Sequence, residues 1–252
     1  MNELDDPNRG PEIAGRIKQK TALKRLYLEV YSRYAEVLAA CPRDGLAIEL
    51  GAGAGFAKEA VPGITTADIL PYPNVDLVFD ACQMPLANES VRFFGMLNVL
   101  HHIPDSAAFF EECQRCLKPG GRMLIVDQYP GWLSHWILKY GHHEPYHPEA
   151  KEWSFPSLGP LSGANGALAW IVFYRDRLLF EQRFPHLRIK ELIPLMPLRY
   201  WLSGGLKWWT LIPGPLWNVA SWFDSLLLRC SAQSASFVAI ELIKTSAEVA
   251  HE

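Results

Sequence analysis

Hydrophobic and polar positions along this chain follow two periods in turn, one of three to four residues and one of short unbroken runs. From Glu12 to about position 41, Leu23, Leu26, Tyr27, Val30, Tyr31, Tyr34 and Leu38 recur at three- and four-residue steps, which predicts an N-terminal helix over 12–41. Pro42-Arg43-Asp44-Gly45 ends it. Short apolar runs then follow at Leu46–Leu50, Ile64–Ile69, Val75–Asp80, Val91–Val99 and Arg122–Asp127, each of strand length. Between the last two, Asp105 is placed to cap a helix from Ser106 to Leu117, and Lys118-Pro119-Gly120-Gly121 breaks it. Strands alternating with helical segments predict an α/β protein with a mostly parallel sheet covered on both faces.

Past Asp127 the pattern changes. Positions 129–163 are rich in Pro, Gly, His and Trp and fit neither period; loops of this length in a compact domain are usually functional or disordered. Ala167–Phe184 reads as an amphipathic helix, Leu187–Leu195 as a sixth strand, and a convincing last strand lies at 235–244. An aromatic insertion over 198–231 separates these two strands. No internal repeat is visible, so the expectation is a single domain over 1–252, with a core at 45–129 and a substrate-side loop at 130–165.

The chemistry begins where the first strand ends, in Glu49-Leu50-Gly51-Ala52-Gly53-Ala54-Gly55. Glycines without a Cβ allow positive φ and leave room for a ligand against the backbone, and free N–H groups at the following helix add to the attraction. The dinucleotide fingerprint G-x-G-x-x-G would require glycine at 56, where the chain has Phe56. The pattern Glu-x-Gly-x-Gly-x-Gly instead resembles motif I of the class I S-adenosylmethionine (SAM)-dependent methyltransferases. The resemblance extends over about residues 20–129: Asp68 at the next strand end, Asp80-Ala81-Cys82-Gln83-Met84-Pro85, Asn98-Val99-Leu100-His101-His102-Ile103, and Leu117-Lys118-Pro119-Gly120-Gly121 before an apolar strand.

It implies a Rossmann-like class I methyltransferase fold, a seven-stranded mostly parallel sheet with helices on both faces, here with a C-terminal aromatic insertion. It also implies SAM as cofactor, held by Glu49, Gly51, Ala52, Gly53, Gly55, Asp68, Ile69, Asp80, Ala81 and Asn98. In that family the glycine turn passes under the amino-acid end of SAM and the acidic residue before it fixes the ammonium. Asp68 corresponds to the residue on the ribose hydroxyls, and a carboxylate can accept from both hydroxyls of a diol. Asp80 corresponds to the residue beside the adenine amine. Only Phe56–Ala67 separates Gly55 from Asp68, so the intervening helix is short, about two turns. The broad family resembled includes ubiquinone- and menaquinone-type C-methyltransferases, and the resemblance ends near Asp127.

Methyl transfer to oxygen or nitrogen often needs a base to take the acceptor's proton. The candidates are His142, His143 and Glu144 in the long segment, with His101 near the cofactor edge. The other readings are a solvated polar loop and a zinc site. Adjacent histidines at 142 and 143 do not make a recognisable ligand pattern, so no metal is expected. Tyr27, Tyr31 and Tyr34 at helical spacing read as core, with Tyr31 closing over the sulfonium as the alternative. Cys113 and Cys116 share a helix face with no second cysteine pair, so they read as packing.

Composition narrows the partners. Net charge is −3 over 252 residues, so no global field favours nucleic acid. Five cysteines, an odd number, suit a reducing cytoplasm, and no apolar run reaches the length of a spanning helix. The insertion holds Trp201, Trp208, Trp209, Trp217 and Trp222, with no charge between Lys207 and Asp224 and basic residues at Arg199, Lys207 and Arg229. Such a segment suits a membrane interface, a lid or a dimer contact. The expected function is SAM-dependent methyl transfer to an O, N or C nucleophile of a small, hydrophobic or lipid-linked acceptor. The expected location is cytoplasmic, with peripheral contact at the inner membrane face through 199–229. The rival is a non-catalytic SAM-binding subunit or scaffold of a membrane-associated complex.

Overall fold

A computed structural model describes residues 8, 10–142, 144–157, 159 and 163–246 of the chain. Two helices open it, α1 (Gly10–Gln19) and α2 (Thr21–Ala39). The long expected helix is thus two, joined at Lys20. The first half of the sheet is β1 (Leu46–Leu50), β2 (Thr65–Asp68), β3 (Leu77–Val78), β4 (Val91–Leu97) and β5 (Leu117–Gln128). The one-turn helix α3 (Ala57–Ala60) follows β1, and α4 (Ser106–Cys116) follows β4. Asp105 does cap α4, its carboxylate accepting from the backbone N–H of Ala107 and Ala108.

After β5 comes α5 (Trp132–Tyr140), then α6 (Leu168–Trp170), a π-turn at Ile171–Arg175, and α7 (Arg177–Arg183). The strand β6 (Leu187–Leu195), helices α8 (Arg199–Ser203) and α9 (Trp217–Cys230), and β7 (Phe237–Lys244) complete the chain. The sheet has seven strands in the order β3-β2-β1-β4-β5-β7-β6. Every pair is parallel except those made by β7, which runs antiparallel to both β5 and β6.

Apolar side chains fill both faces. On one side Phe109, Phe110, Phe173, Phe180 and Phe184 pack under α4 and α7; on the other Tyr31, Tyr34, Phe93 and Phe237 lie beneath α2. Cys113 and Cys116 are buried free thiols in the first of these clusters, as packing requires. Strand order reverses between β1 and β4. That puts the ends of β1, β2, β4 and β5 beside one another at the carboxyl edge, where open α/β sheets form their sites.

Candidate active site

Each strand end contributes one element of the site. After β1 the chain turns sharply, with Gly51 at φ +63° and Gly53 at φ +49°. A Cβ at 51 would collide with Val99, whereas at 53 it would make only ordinary contact, with the Gly51 carbonyl at 3.8 Å and Asp68 at 4.0 Å, and Gly53 lines the cavity. Asp68 braces the turn, one oxygen accepting from the Gly53 N–H at 2.8 Å and the other from the Leu70 N–H at 2.9 Å. Because α3 is a single turn, shorter than the two turns its spacing predicts, it offers no helix N-terminus to a ligand. The nearby donors are already engaged, with Gly55 N–H on the Ala52 carbonyl and Phe56 N–H on the Tyr31 hydroxyl.

Glu49 is the electrostatic centre of this end. It is 3 % exposed and its Oε2 has no hydrogen-bond partner. Burial, then the neighbouring Asp68 charge, push its carboxyl up to about 8, against a lowering by the Tyr31 hydroxyl. A buried carboxylate oxygen with nothing to accept from is complementary to a cation. Asn98, at the end of β4, also leaves a buried Oδ1 without a partner and holds a left-handed backbone at φ +57°. Asparagine tolerates that region better than most residues. The orphaned oxygens and the cavity-lining turn at Gly53 fit the ammonium-bearing end of SAM. Tyr31 is buried in the core beside the turn, edge-on to Phe56, and also lines the cavity.

The second half of the site grows from the ends of β4 and β5. His101 and His102 sit on a 3-10 turn after β4. His101 is buried, its Nδ1 2.6 Å from the carboxylate of Asp127, the penultimate residue of β5. Its Nε2 stands 3.3 Å from Glu144, which Gln128 also contacts at 3.2 Å. His102 holds the Gly163 carbonyl through Nδ1 at 3.1 Å and turns Nε2 towards the other Glu144 oxygen at 3.5 Å. His142 flanks the group, 3.4 Å from Glu144. Burial alone would depress the His101 pKa; the Asp127 and Glu144 carboxylates outweigh it and raise it to about 10. Against the burial that would raise it, His101 and His102 hold Glu144 well below the usual carboxylate range.

Glu49, Gly51, Ala52, Gly53, Gly55, Asp68, Ile69, Asp80, Ala81 and Asn98 all line one cavity of about 950 Å³, and so do His101, His102, His142 and Glu144. His143 lies outside the described residues. Asp127 and Gln128 escaped the sequence reading, although Asp127 as a strand-terminal acid at the carboxyl edge carries the signal that marked Asp68.

The aromatic insertion and α1 roof the cavity. Arg16 and Lys20 donate to the backbone carbonyls of Gly205, Leu206 and Lys207, and Tyr200, Trp201 and Trp209 line the inner surface. Two residues assigned to a membrane surface are internal. Arg199 is buried in ion pairs with Asp224 at 2.7 Å and Glu29 at 2.8 Å, and Trp217 lies in the core beneath its guanidinium.

This sheet order, with a glycine turn after β1 and acids at the ends of β1 and β2, is the Rossmann-like arrangement of the class I methyltransferase fold. Comparison with known proteins agrees: residues 48–125 match the family described as "Methyltransferase domain". A Mycolicibacterium smegmatis protein named "Probable S-adenosylmethionine-dependent methyltransferase" is 32% identical over 110 residues, 38% of this chain and 41% of that protein. The chain therefore matches about two fifths of the length of this curated relative.

Among solved structures, the geranyl diphosphate C-methyltransferase from Streptomyces coelicolor A3(2), crystallised with Mg2+, geranyl diphosphate and S-adenosyl-L-homocysteine, superposes with a TM-score of 0.54. It is 16% identical, with 88% of this chain and 81% of that chain covered. A geranyl diphosphate methyltransferase in complex with SAM gives 0.55 at 17% identity, covering 96% and 94%. These likenesses establish the Rossmann-like fold.

Proposed function

We propose that the protein transfers a methyl group from SAM to an O, N or C nucleophile on a small hydrophobic or lipid-linked acceptor, working as a peripheral protein at a membrane surface. The observation that carries this reading is the single cavity, with an orphaned Glu49 carboxylate and a glycine turn at one end and a His–His–Glu cluster at the other. When bound, SAM supplies an electrophilic methyl group on a sulfonium. Glu49 would hold its ammonium and Asp68 its ribose, with Ile69, Asp80 and Ala81 along the adenine. Gly51, Ala52, Gly53 and Gly55 would give its backbone-facing side room, and Asn98 would accept a further donor.

On the acceptor side, His101 is fixed by Asp127, and Glu144 is turned inward by His101, His102 and Gln128. Protonated between Asp127 and Glu144, His101 would orient the acceptor, while Glu144 and His142, with His143 as a sequence-based candidate, would receive its proton. Tyr200, Trp201 and Trp209 exclude water above them. A polar cluster built this deeply beside the cofactor end favours a catalyst over a SAM-binding scaffold, which would need only its outer surface.

That outer surface supports the membrane part of the reading. Val219, Trp222, Phe223 and Leu226 of α9 are all exposed at spacings of three, four and seven, one helical face turned outwards. Trp132, Leu133, Trp136 and Tyr140 do the same on α5, and Trp208 is 86 % exposed. Lys139, Lys207 and Arg229 are exposed near them. Apolar faces with basic residues at their margins suit the headgroup boundary of a bilayer. No helix among the described residues is long and apolar enough to cross a membrane.

A product screen with methyl-labelled SAM against lipid and polar cell extracts tests the activity. We expect label in the lipid or apolar fraction, lost in Glu144→Gln. Label only in polar products contradicts the acceptor class, and no transfer to any fraction by SAM-binding protein favours the scaffold.

A further inference from the structure

His101 and His102 face Glu144 in a way that hydrogen bonding explains poorly. The Gly163 carbonyl can only accept, so His102 Nδ1 carries the proton of that bond and leaves a lone pair on Nε2 in the neutral ring. His101 is arranged alike, with Nδ1 on the Asp127 carboxylate. In neutral rings, the form that metal binding requires, both Nε2 atoms would point lone pairs at the Glu144 oxygens, at 3.3 Å and 3.5 Å. Charge-assisted N–H···O bonds are about 2.7–2.9 Å, as His101 and Asp127 achieve at 2.6 Å in the same cluster. The longer separations suit a different guest. Donors about 2.0–2.1 Å from a tetrahedral zinc ion stand about 3.3–3.4 Å from each other.

We propose that His101, His102 and Glu144 form a three-ligand site for a divalent transition metal of the zinc class, with its remaining position open to the acceptor end of the cavity. One donor atom from each residue lies within 4.8 Å of the other two. The outer contacts are those of a built metal site: a carboxylate on one histidine, a backbone carbonyl on the other, and the Gln128 amide on the carboxylate. Two imidazoles with one carboxylate favour zinc, cobalt or iron over magnesium, which prefers oxygen. Three protein ligands with a free position are the catalytic arrangement, not the closed structural one.

The acceptor class narrows accordingly to molecules that present a ligating oxygen, such as a hydroxyl or carboxylate, beside an apolar body. That role rests on the methyltransferase reading above; the site itself does not. It also departs from the expectation of no metal, because its ligands come from segments about forty residues apart and no local spacing announces them.

The test reads metal, not turnover. Protein stripped with a chelator is titrated with Co2+ followed by visible absorption, and Zn2+ affinity is obtained by competition. We expect one equivalent of Co2+, with the spectrum of a four-coordinate nitrogen and oxygen site. Binding should weaken at least about tenfold in His102→Ala and Glu144→Gln, and about 10- to 100-fold in Asp127→Asn. SAM affinity of each variant, measured by calorimetry, should stay within a few fold of wild type, which also reports folding. Folded protein that takes up neither metal overturns the proposal. So does binding that is as tight in Glu144→Gln and His102→Ala as in wild type. If SAM binding fails while metal binding behaves as stated, the cofactor reading falls and the metal site stands.

Discussion

Glu49 concentrates the tension between stability and function at a single residue. Burial and Asp68 raise its pKa to about 8 in the folded chain, from near 4.5 when unfolded. The groups facing it are Asp68 from β2 and Tyr27, Tyr31 and Tyr34 from α2, with no cation among them; the Tyr31 hydroxyl favours the carboxylate but is outweighed by burial and the Asp68 charge. Between these two pKa values the folded state holds a proton that the unfolded state has lost. Stability contributed by this group therefore falls as pH rises from about 4.5 to about 8, and the cost is complete above that. A shift of this size is worth on the order of a few kcal/mol. Glu49→Gln should raise the Tm of the unliganded protein at pH 8.5 by several degrees, at roughly 2–4 °C per kcal/mol for a chain of this size. That gain should shrink towards pH 4.5, and SAM affinity should drop at least tenfold. Thermal melts across pH, paired with calorimetry, check both; an unchanged melt at pH 8.5 would remove Glu49 from its central place.

Elements differ in how far they could be read in advance, and the reason is what each one packs against. Leu187–Leu195 is a strand with the bounds its pattern predicts, since β6 alternates between core and solvent along its first half. The glycine turn was legible because backbone conformations that only glycine adopts easily leave a mark at single positions. Ala167–Phe184 reads as one helix yet is broken, its π-turn closed by the Asp176 N–H on the Ile171 carbonyl, five residues back. No residue type signals that register change. The helix α5 was missed altogether: it is nine residues between Gly131 and Gly141, with its tryptophans outside rather than inside.

The helices α5 and α9 both contact the turn Ala232–Ser234. Replacing Trp132, Trp136, Trp208 and Trp222 with serine should abolish co-sedimentation with vesicles containing anionic lipid while SAM affinity persists. Trp217→Ser is a different matter, because that ring supports Arg199 in the core and its loss should destabilise the protein by about 3–5 kcal/mol. Wild-type protein that ignores vesicles would leave these faces without a membrane role.

At the scale of the whole molecule, the reversal of strand order between β1 and β4 gathers chemistry from four strand ends into one cavity. The cofactor end was legible because each motif is local, a few residues at a strand terminus. The acceptor end was not: His101, Asp127 and Glu144 are individually ordinary, and only β4 beside β5 brings them within bonding distance. The fold class and the glycine turn stand together, and the matched segment 48–125 is the part of the chain that holds them.

The central claim is that this cavity is built for SAM, and calorimetric titration of the folded chain with SAM, S-adenosylhomocysteine and NADH tests it most directly. The account predicts one site for each of the first two and none for NADH. It also predicts that Gly53→Val loses the site while melting cooperatively, since the strain of an L side chain at positive φ is about 1–2 kcal/mol and a Cβ there meets no protein atom closer than 3.8 Å. Binding of NADH in place of SAM, or a folded Gly53→Val variant with unchanged SAM affinity, would contradict it.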